Sequence, residues 1–501
     1  LLGPSIVKRP SYIVALDIGT TGTRGLLCSI EGRICHTESR PHSVYYEGCG
    51  KVEQDPDEIL HAVVSVIRSV IDRTGIDPVS ILSVAFGGVM HSIIPLDREG
   101  TPLCRALIWA DSRSILQSEQ LKSLYDSEHL KLRTGCTMHP LYHLPRLLYI
   151  KEEKDDLFQK TRRFVSIKEY VVSRLYGEFV IDRSTASATG VWNVQSFDWD
   201  RELLGSIGVE PSMLSRVRKE TYLLNELRSE YASSTGLRTG TPAVLGGADG
   251  TLAHIASTAL AKNRLSLTVG STAAMRKMVY EPTVLKGGEA WCYYLAEGRW
   301  LLGGVIHDAG TVMQWLSRTV FGMEGKEDEL FEFLNREASL IPPGAEGLLF
   351  FPFLAGERSP RNNPRSRGAI YGLSLNHKRR HIIRALIEGI AYRINALYEM
   401  LREEKDMEIA MSGGTLGSPV WLQTLSDFLG KKLLIPKVEE ASAYGAFLVA
   451  LRALSVIENL DQVKEYIVYS RNGVSPDAEA HRTYKDVLAR YEELYSRIFD
   501  K

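Results

Sequence analysis

Tyr12-Ile13-Val14-Ala15-Leu16-Asp17-Ile18-Gly19-Thr20-Thr21-Gly22-Thr23-Arg24 is an apolar run that ends on an acidic residue and a glycine–threonine turn. A second apolar run, Leu26 to Ile30, follows, and Glu31-Gly32 signals another turn. Strand, tight polar turn and strand make the pattern of a hairpin. The turn has a chemistry of its own. Glycines expose backbone N–H groups on one side, the hydroxyls of Thr20 and Thr21 add donors, and Arg24 adds a charge that matches phosphate. Asp17, at the end of the first strand, is placed to hold a magnesium ion through water, because that ion keeps much of its hydration shell.

Outward from this hairpin the chain alternates strands and helices. Pro56 to Arg73 reads as a helix: Asp55 caps it, Pro56 suits its first position, and Glu58 stands at the spacing of a capping box. Ile59, Val63, Val66, Ile67 and Val70 form its apolar stripe, and Gly75 ends it. A strand at Ile81 to Phe86 then runs into Gly87-Gly88. The pattern restarts later, with Ala243 to Leu245 running into Gly246-Gly247-Ala248-Asp249-Gly250 and a strand pair around Ser271-Thr272. His381 to Arg402 has an amphipathic stripe, Glu408 to Met411 runs into Ser412-Gly413-Gly414, and a last helix starts near Pro476. This is a mixed α/β chain with a duplicated unit. Gly236, Gly240 and Pro242 place the boundary near residue 240, giving domains 11–240 and 241–501.

Lys+Arg is 60 and Asp+Glu 61 among 501 residues, so no global field draws in nucleic acid or an anionic membrane. No run approaches the ~20 apolar residues of a spanning helix, and Leu1 to Pro10 lacks the apolar core of a signal peptide. Cys28, Cys35, Cys49, Cys104, Cys136 and Cys292 contain no C-x-x-C pair and read as free thiols of a cytoplasmic protein. The expected partner is a small molecule; the sequence leaves a homodimer open.

Three further motifs carry chemistry. In Gly246-Gly247-Ala248-Asp249-Gly250-Thr251 an acidic residue between glycines can approach a substrate hydroxyl, which is what a base for phosphoryl transfer to an alcohol needs. In Ser412-Gly413-Gly414-Thr415-Leu416-Gly417-Ser418 a double glycine after a strand lets the backbone lie flat against a planar base. Gly87-Gly88-Val89-Met90-His91 and Leu107-Ile108-Trp109-Ala110-Asp111-Ser112-Arg113 mix apolar and polar groups in a way that suits a polyol: Trp109 stacks on a carbon face while Asp111 and Arg113 bond hydroxyls.

Together these motifs resemble the FGGY family of carbohydrate kinases, in the actin/hexokinase-like superfamily, from about residue 11 to about residue 455. Gly368 to Leu373 with His381 to Glu388 is similar to the family's C-terminal signature, after the family-like Gly356-Glu357-Arg358-Ser359-Pro360. Around Tyr142 to Glu153, Arg146 stands where a lysine is usual and Tyr149 where a tryptophan is usual. The resemblance implies two ribonuclease-H-like α/β domains flanking a cleft and ATP with Mg2+ as cofactors. It also implies Asp249 as catalytic base, with Ser271, Thr272, Gly310, Gln314, Gly413, Gly414 and Ser418 at the nucleotide. Within the family, Met90-His91-Ser92, Ile108 to Ser114 and Thr134 to Pro140 (including His139) look most like gluconate kinases, which convert D-gluconate to 6-phosphogluconate. Arg113, His139 and Lys168 are the candidate partners of a substrate carboxylate. A pentulose kinase such as xylulokinase is the runner-up. A sugar- or nucleotide-responsive regulator of the same fold without transfer activity is the alternative from another class.

Overall fold

The computed structural model describes residues 10–499, except 49, 259, 286–288, 355, 362, 364, 404–406 and 439. The opening hairpin forms as the sequence predicts. Strands β1 (Tyr12–Ile18) and β2 (Gly22–Ser29) pair antiparallel, and Gly19 N–H closes the turn on the Gly22 carbonyl at 3.1 Å. Strand β3 (Ile34–Pro41) continues the antiparallel run. On the other side of β1 lie two parallel neighbours, β4 (Ile81–Gly88) and then β5 (Ala243–Ala248), with a two-residue edge strand at Leu223–Leu224.

The unbroken apolar run of β1 is explained by burial on both faces. Val14, Leu16 and Ile18 pack with Ile59, Val63, Val66, Ile67 and Val70 of helix α1 (Pro56–Thr74). Ile13 and Ala15 point the other way, into a core completed by a helix from far along the chain, which contributes Phe447, Leu448 and Val449. Helix α1 is capped as expected by Asp55, which accepts from Asp57 N–H and Glu58 N–H, and ends at Gly75 in the left-handed conformation. Glu58 departs from the capping-box expectation. Its carboxylate accepts from the backbone N–H and hydroxyl of Ser43 at 2.9 and 3.0 Å, tying the helix to the loop after β3 instead.

A second sheet repeats the plan. Strands β6 (Arg264–Val269) and β7 (Ala273–Val279) pair antiparallel, β8 (Trp291–Ala296) and β9 (Arg299–Ile306) extend the β7 side, and β10 (Glu408–Ser412) runs parallel to β6. In each sheet a strand has an antiparallel hairpin partner on one side and a parallel strand on the other. This is the duplicated ribonuclease-H-like unit, in two domains of mixed α/β content.

The boundary differs from the reading at residue 240. Strand β5 lies in the first sheet, hydrogen-bonded to β4, and helix α2 (Asp249–Thr258) follows directly from it. The sequence signal, a glycine- and proline-containing turn, is a real turn, but it precedes the last parallel strand of the first unit and does not open the second. Helix α3 (Arg379–Leu401) begins two residues before its expected start, and helix α4 (Ala441–Ala453) is the distant one that covers the first sheet. The C-terminal helix α5 (Ala478–Phe499) is capped by Asp477, which accepts from Glu479 N–H and Ala480 N–H, so Pro476 stands just outside it. The described cysteines, Cys28, Cys35, Cys104, Cys136 and Cys292, are free thiols; Cys49 lies outside the described residues. Among the described residues no helix is long and apolar enough to cross a membrane.

Candidate active site

Register brings the first two acidic motifs together. In the first sheet Asp17 pairs with Gly87, and Gly87 with Gly247; one row further, Ile18 pairs with Gly88, and Gly88 with Ala248. Asp17 and the residue before Asp249 thus stand at the carboxyl ends of neighbouring parallel strands, where ligands of open α/β sheets bind. The row depends on a bulge in β5 at Gly246, whose φ of +64° is left-handed and where a Cβ would lie 1.8 Å from the Phe86 carbonyl oxygen. Only glycine fits there.

Asp249 begins α2, and one of its oxygens accepts from Gly250 N–H at 2.7 Å. The guanidinium of Arg276 packs over Gly250, where an added Cβ would be 3.2 Å away; the Met90 side chain comes to 3.3 Å on the same point. Burial raises the Asp249 pKa, opposed by the Gly250 N–H, Arg276 and Lys168. Asp17 is raised to about 7, first by burial and then by the charge of Asp249, with Arg24 acting against both. One oxygen of Asp17 is buried without a hydrogen-bond partner. Two carboxylates sharing one field, with an orphaned oxygen, fit a divalent cation. Among the described residues no group of three or more His, Cys, Asp or Glu is close enough to hold a metal by itself.

The strand leading to Asp249 is locked from behind. Lys168, on the helix Ile167–Tyr176, is fully buried, pairs with Asp182 at 2.5 Å and donates to the Gly247 carbonyl at 3.0 Å. Ala248 N–H donates to the Ser184 hydroxyl at 2.9 Å, and Ser184 in turn donates to Asp182. Lys168 is therefore spent on Asp182 and two carbonyls, and the expectation that it faces a substrate carboxylate is corrected.

Trp109, Thr20 and His307 meet beside the hairpin turn. The Trp109 indole N–H donates to the Thr20 hydroxyl at 3.1 Å, and its ring lies parallel to His307 of the second unit at 6.5 Å. Thr21 is exposed on the turn. His91, with φ of +65°, is held in a strained left-handed conformation. Its Nδ1 stands 2.9 Å from the Ala188 carbonyl and burial pushes its pKa well down. A neutral ring donating from Nδ1 leaves Nε2 as an acceptor. His139 is also neutral by burial, and its Nδ1 accepts from Leu141 N–H at 3.2 Å, which leaves Nε2 as a donor. His91 packs edge-on against Tyr142 at 5.4 Å, and Tyr142 shares a 2.7 Å hydroxyl contact with Tyr293 of the second unit.

Asp111 and Arg113 sit near this cluster but turn away from it. Asp111 is buried, accepts from Val52 N–H at 3.0 Å and from Arg113, and Arg113 also pairs with Glu53 at 2.7 Å. Their hydrogen-bonding groups are used to pin the strand Lys51–Gln54, whose Gln54 amide donates to the Thr20 carbonyl at 2.7 Å. The expectation that these two bind substrate directly is corrected to a supporting place. Arg24 forms a 3.1 Å ion pair with Glu440 of the second unit.

The second sheet gathers the other predicted residues. Gly310 N–H donates to the Gly270 carbonyl at 2.9 Å, and Thr311 N–H to the Ser271 carbonyl at 3.2 Å. Gly413, at φ of +103°, lies against the Val269 carbonyl, and Gly414 is open. Ser271, Thr272, Gly310, Gly413 and Gly414 thus line one edge, with Gln314 exposed a turn beyond Gly310. Ser418 is different: fully buried, it caps the helix Pro419–Leu429 by accepting from Trp421 N–H and donates to Asn335 at 2.7 Å, so its hydroxyl is closed to a nucleotide. The edge joins the first sheet where Ser442 donates to the Asp249 carbonyl at 3.2 Å.

Sequence reasoning missed Arg276, His307, Gln54 and the role of Arg146, which is buried and donates to the carbonyls of Pro140, His91, Ile108 and Asp111. Arg276 follows four residues after Thr272 on β7, a spacing that puts it on the same face as Ala274, but nothing local shows that this face meets Gly250.

Comparisons with known proteins agree with this geometry. The N-terminal domain description of the FGGY family of carbohydrate kinases matches residues 12–256, and the C-terminal one residues 271–454. The chain is 32% identical to the gluconokinase of Bacillus subtilis (strain 168), with 98% of each covered. A crystal structure of gluconate kinase from Lactobacillus acidophilus superposes with a TM-score of 0.90 at 27% identity, covering 98% of both chains. A ligand-bound xylulose kinase from the same organism gives 0.90 at 28% identity, covering 97% of this chain and 98% of that one. The matched N-terminal domain runs past Asp249, as the placement of β5 and α2 in the first unit requires. The chain belongs to the FGGY family of carbohydrate kinases.

Proposed function

We propose that the protein transfers the γ-phosphoryl group of ATP to the terminal hydroxyl of a small sugar acid, D-gluconate, giving 6-phosphogluconate. The observation that carries the reading is the placement of the Asp249 carboxylate, with a raised pKa, two residues beyond Gly247, which shares a row through Gly87 with Asp17 at the glycine–threonine turn. Asp249 accepts the proton of the hydroxyl as its oxygen attacks the terminal phosphorus. The phosphates lie against the Gly19–Gly22 turn, and the adenosine lies on the edge formed by Ser271, Gly310, Gln314 and Gly414. A magnesium ion held through water by Asp17, its other ligands coming from water and phosphate, would neutralise charge on the phosphates. The sugar lies among Met90, His91, Trp109 and His139, whose imidazoles offer one acceptor and one donor to hydroxyls.

The identity of 32% to a gluconokinase supports the acid over a ketose, while the equal TM-scores of a gluconate and a xylulose kinase keep xylulose as the second reading. ADP release measured with gluconate, xylulose, ribulose and glycerol separates them. Gluconate should give a kcat/KM at least about tenfold above the others; a preference for xylulose overturns the assignment. No turnover on any sugar would favour a regulator.

A further inference from the structure

The cations near the sugar cluster are mostly committed. Lys168 is paired with Asp182, Arg113 with Asp111 and Glu53, and Arg24 with Glu440. Arg146 is fully buried and donates to the carbonyls of Pro140, His91, Ile108 and Asp111. Arg358 stands apart from these. Among the described residues it has neither a hydrogen bond nor an ion pair, and it is half-buried.

Its neighbours are fixed on both sides. Glu357 is buried and accepts from the Tyr495 hydroxyl. Ser359 is fully buried, donates its hydroxyl to the Glu289 carbonyl at 2.6 Å and pairs with Val305, two residues before His307. The segment thus hangs from β9 at the point where that strand delivers His307 onto Trp109. The charge of Arg358 acts on His91, His139 and His307, and on Tyr142 and Tyr293. The charged side chains that act on these three histidines besides Arg358 are positive as well: Arg146, Lys122 and Arg393. Among the described residues this cluster of neutral rings and hydroxyls shows no carboxylate paired with the Arg358 guanidinium.

Arg276 and Lys168, not Arg358, are the cations that act on Asp249. Asp249, with Arg276 packed over Gly250, stands at the exit of β5, whereas Arg358 precedes Ser359, which is bonded to Val305 near the end of β9 beside His307 and Trp109.

We infer that Arg358, supplied by the second unit, is the specificity-determining residue that bonds the carboxylate of the substrate at the end remote from the phosphorylated hydroxyl. A planar carboxylate matches the guanidinium fork, and a neutral polyol leaves that fork unpaired in a partly dry site. This rests on the reading that Asp249 takes the proton at the other end of the same molecule.

The test compares D-gluconate with D-glucitol, which has the same chain length and a hydroxymethyl group in place of the carboxylate. In Arg358→Gln the KM for gluconate should rise on the order of 10²-fold, while the KM values for glucitol and ATP move less than about threefold. Arg358→Lys, which keeps the charge and loses the fork, should recover part of the gluconate affinity and guards against a folding defect. Parallel losses on gluconate and glucitol overturn the inference, as does wild-type protein that binds the two equally. Wild-type protein that uses gluconate, with Arg358→Gln keeping its preference, overturns the inference and leaves the proposed function standing. Wild-type protein that uses only xylulose overturns both.

Discussion

The carboxylate of Asp249 must be ionised to act as a base, and burial opposes that while Gly250 N–H, Arg276 and Lys168 favour it. Because the net shift is upward, the acid limb of kcat/KM should lie above the ordinary carboxylate range near 4, with activity lost as pH falls through it. Asp249→Asn should lower kcat by about 10²–10⁴-fold, with KM for ATP little changed. A variant with near-normal kcat would remove Asp249 from the chemistry. Glu220 is a buried carboxyl of another kind. Burial, and then the charge of Asp182, push it to about 8. The folded chain keeps a proton there that the unfolded chain releases above about 4.3, so this group costs stability increasingly as pH rises from about 4 to 8 and the cost levels off beyond. Glu220→Gln should leave the unfolding free energy unchanged at pH 4 and raise it by about 2–4 kcal/mol at pH 8. Denaturant titrations at the two pH values decide this; an equal effect at both would mean that Glu220 is ionised in the folded protein. Arg146 does what a lysine could not: its fork reaches four carbonyls from the loops that carry His91, Trp109 and His139, more than an ammonium's three donors could satisfy.

At the scale of elements, one bulge sets the site. Strand β5 shifts register between Val244 and Gly247, and that shift puts Gly247 beside Gly87 and Asp249 at the strand's exit. Gly246→Ala adds a Cβ 1.8 Å from the Phe86 carbonyl in a left-handed conformation. The strand must move, so the substitution should cost at least about 2 kcal/mol and lower kcat along with stability. Thermal unfolding together with kcat checks both; a stable variant with wild-type kcat would show that the bulge does not position Asp249. The local devices were legible in the sequence. The Gly19–Gly22 turn, the Asp55 cap and the Gly75 stop each depend on residues within a few positions. The misplaced readings share a different cause. Glu58 bonds Ser43 across a loop, Asp111 bonds Val52, Ser418 bonds Asn335, and β5 pairs with a strand more than 150 residues earlier. Such partners are chosen by tertiary packing, which periodicity and capping rules do not encode. Residue type pointed correctly to polar work at Asp111, Arg113 and Lys168; it gave no direction to their side chains.

At the scale of the whole molecule, the two units are duplicated in topology but not separable along the chain. Helix α4 belongs to the second half of the sequence and buries Ala443, Phe447, Leu448, Val449 and Leu451 against a core that includes Ile13, Ala15, Leu26, Ala85 and Val244 of the first sheet. Each large apolar side chain buried this way contributes about 1.5–3 kcal/mol. Four such side chains left without a partner approach the 5–15 kcal/mol that holds a typical domain folded. A fragment of residues 10–262 therefore keeps all the strands of its sheet but loses the cover of one face. Expressed alone, it should show no cooperative thermal transition and should bind a dye specific for exposed apolar surface. Co-expressed with residues 263–501, it should recover both a single transition and kinase activity, because α4 returns and brings Ser442 back to the Asp249 carbonyl. The alternative is that β1 to β5 with α1 form a self-sufficient domain and α4 merely rests on it. A fragment that unfolds cooperatively on its own, near the temperature of the full chain, would establish that alternative. It would also make closure of the cleft a hinge between independent bodies, whereas an uncooperative fragment means that the second half supplies part of the first unit's core as well as one wall of the site.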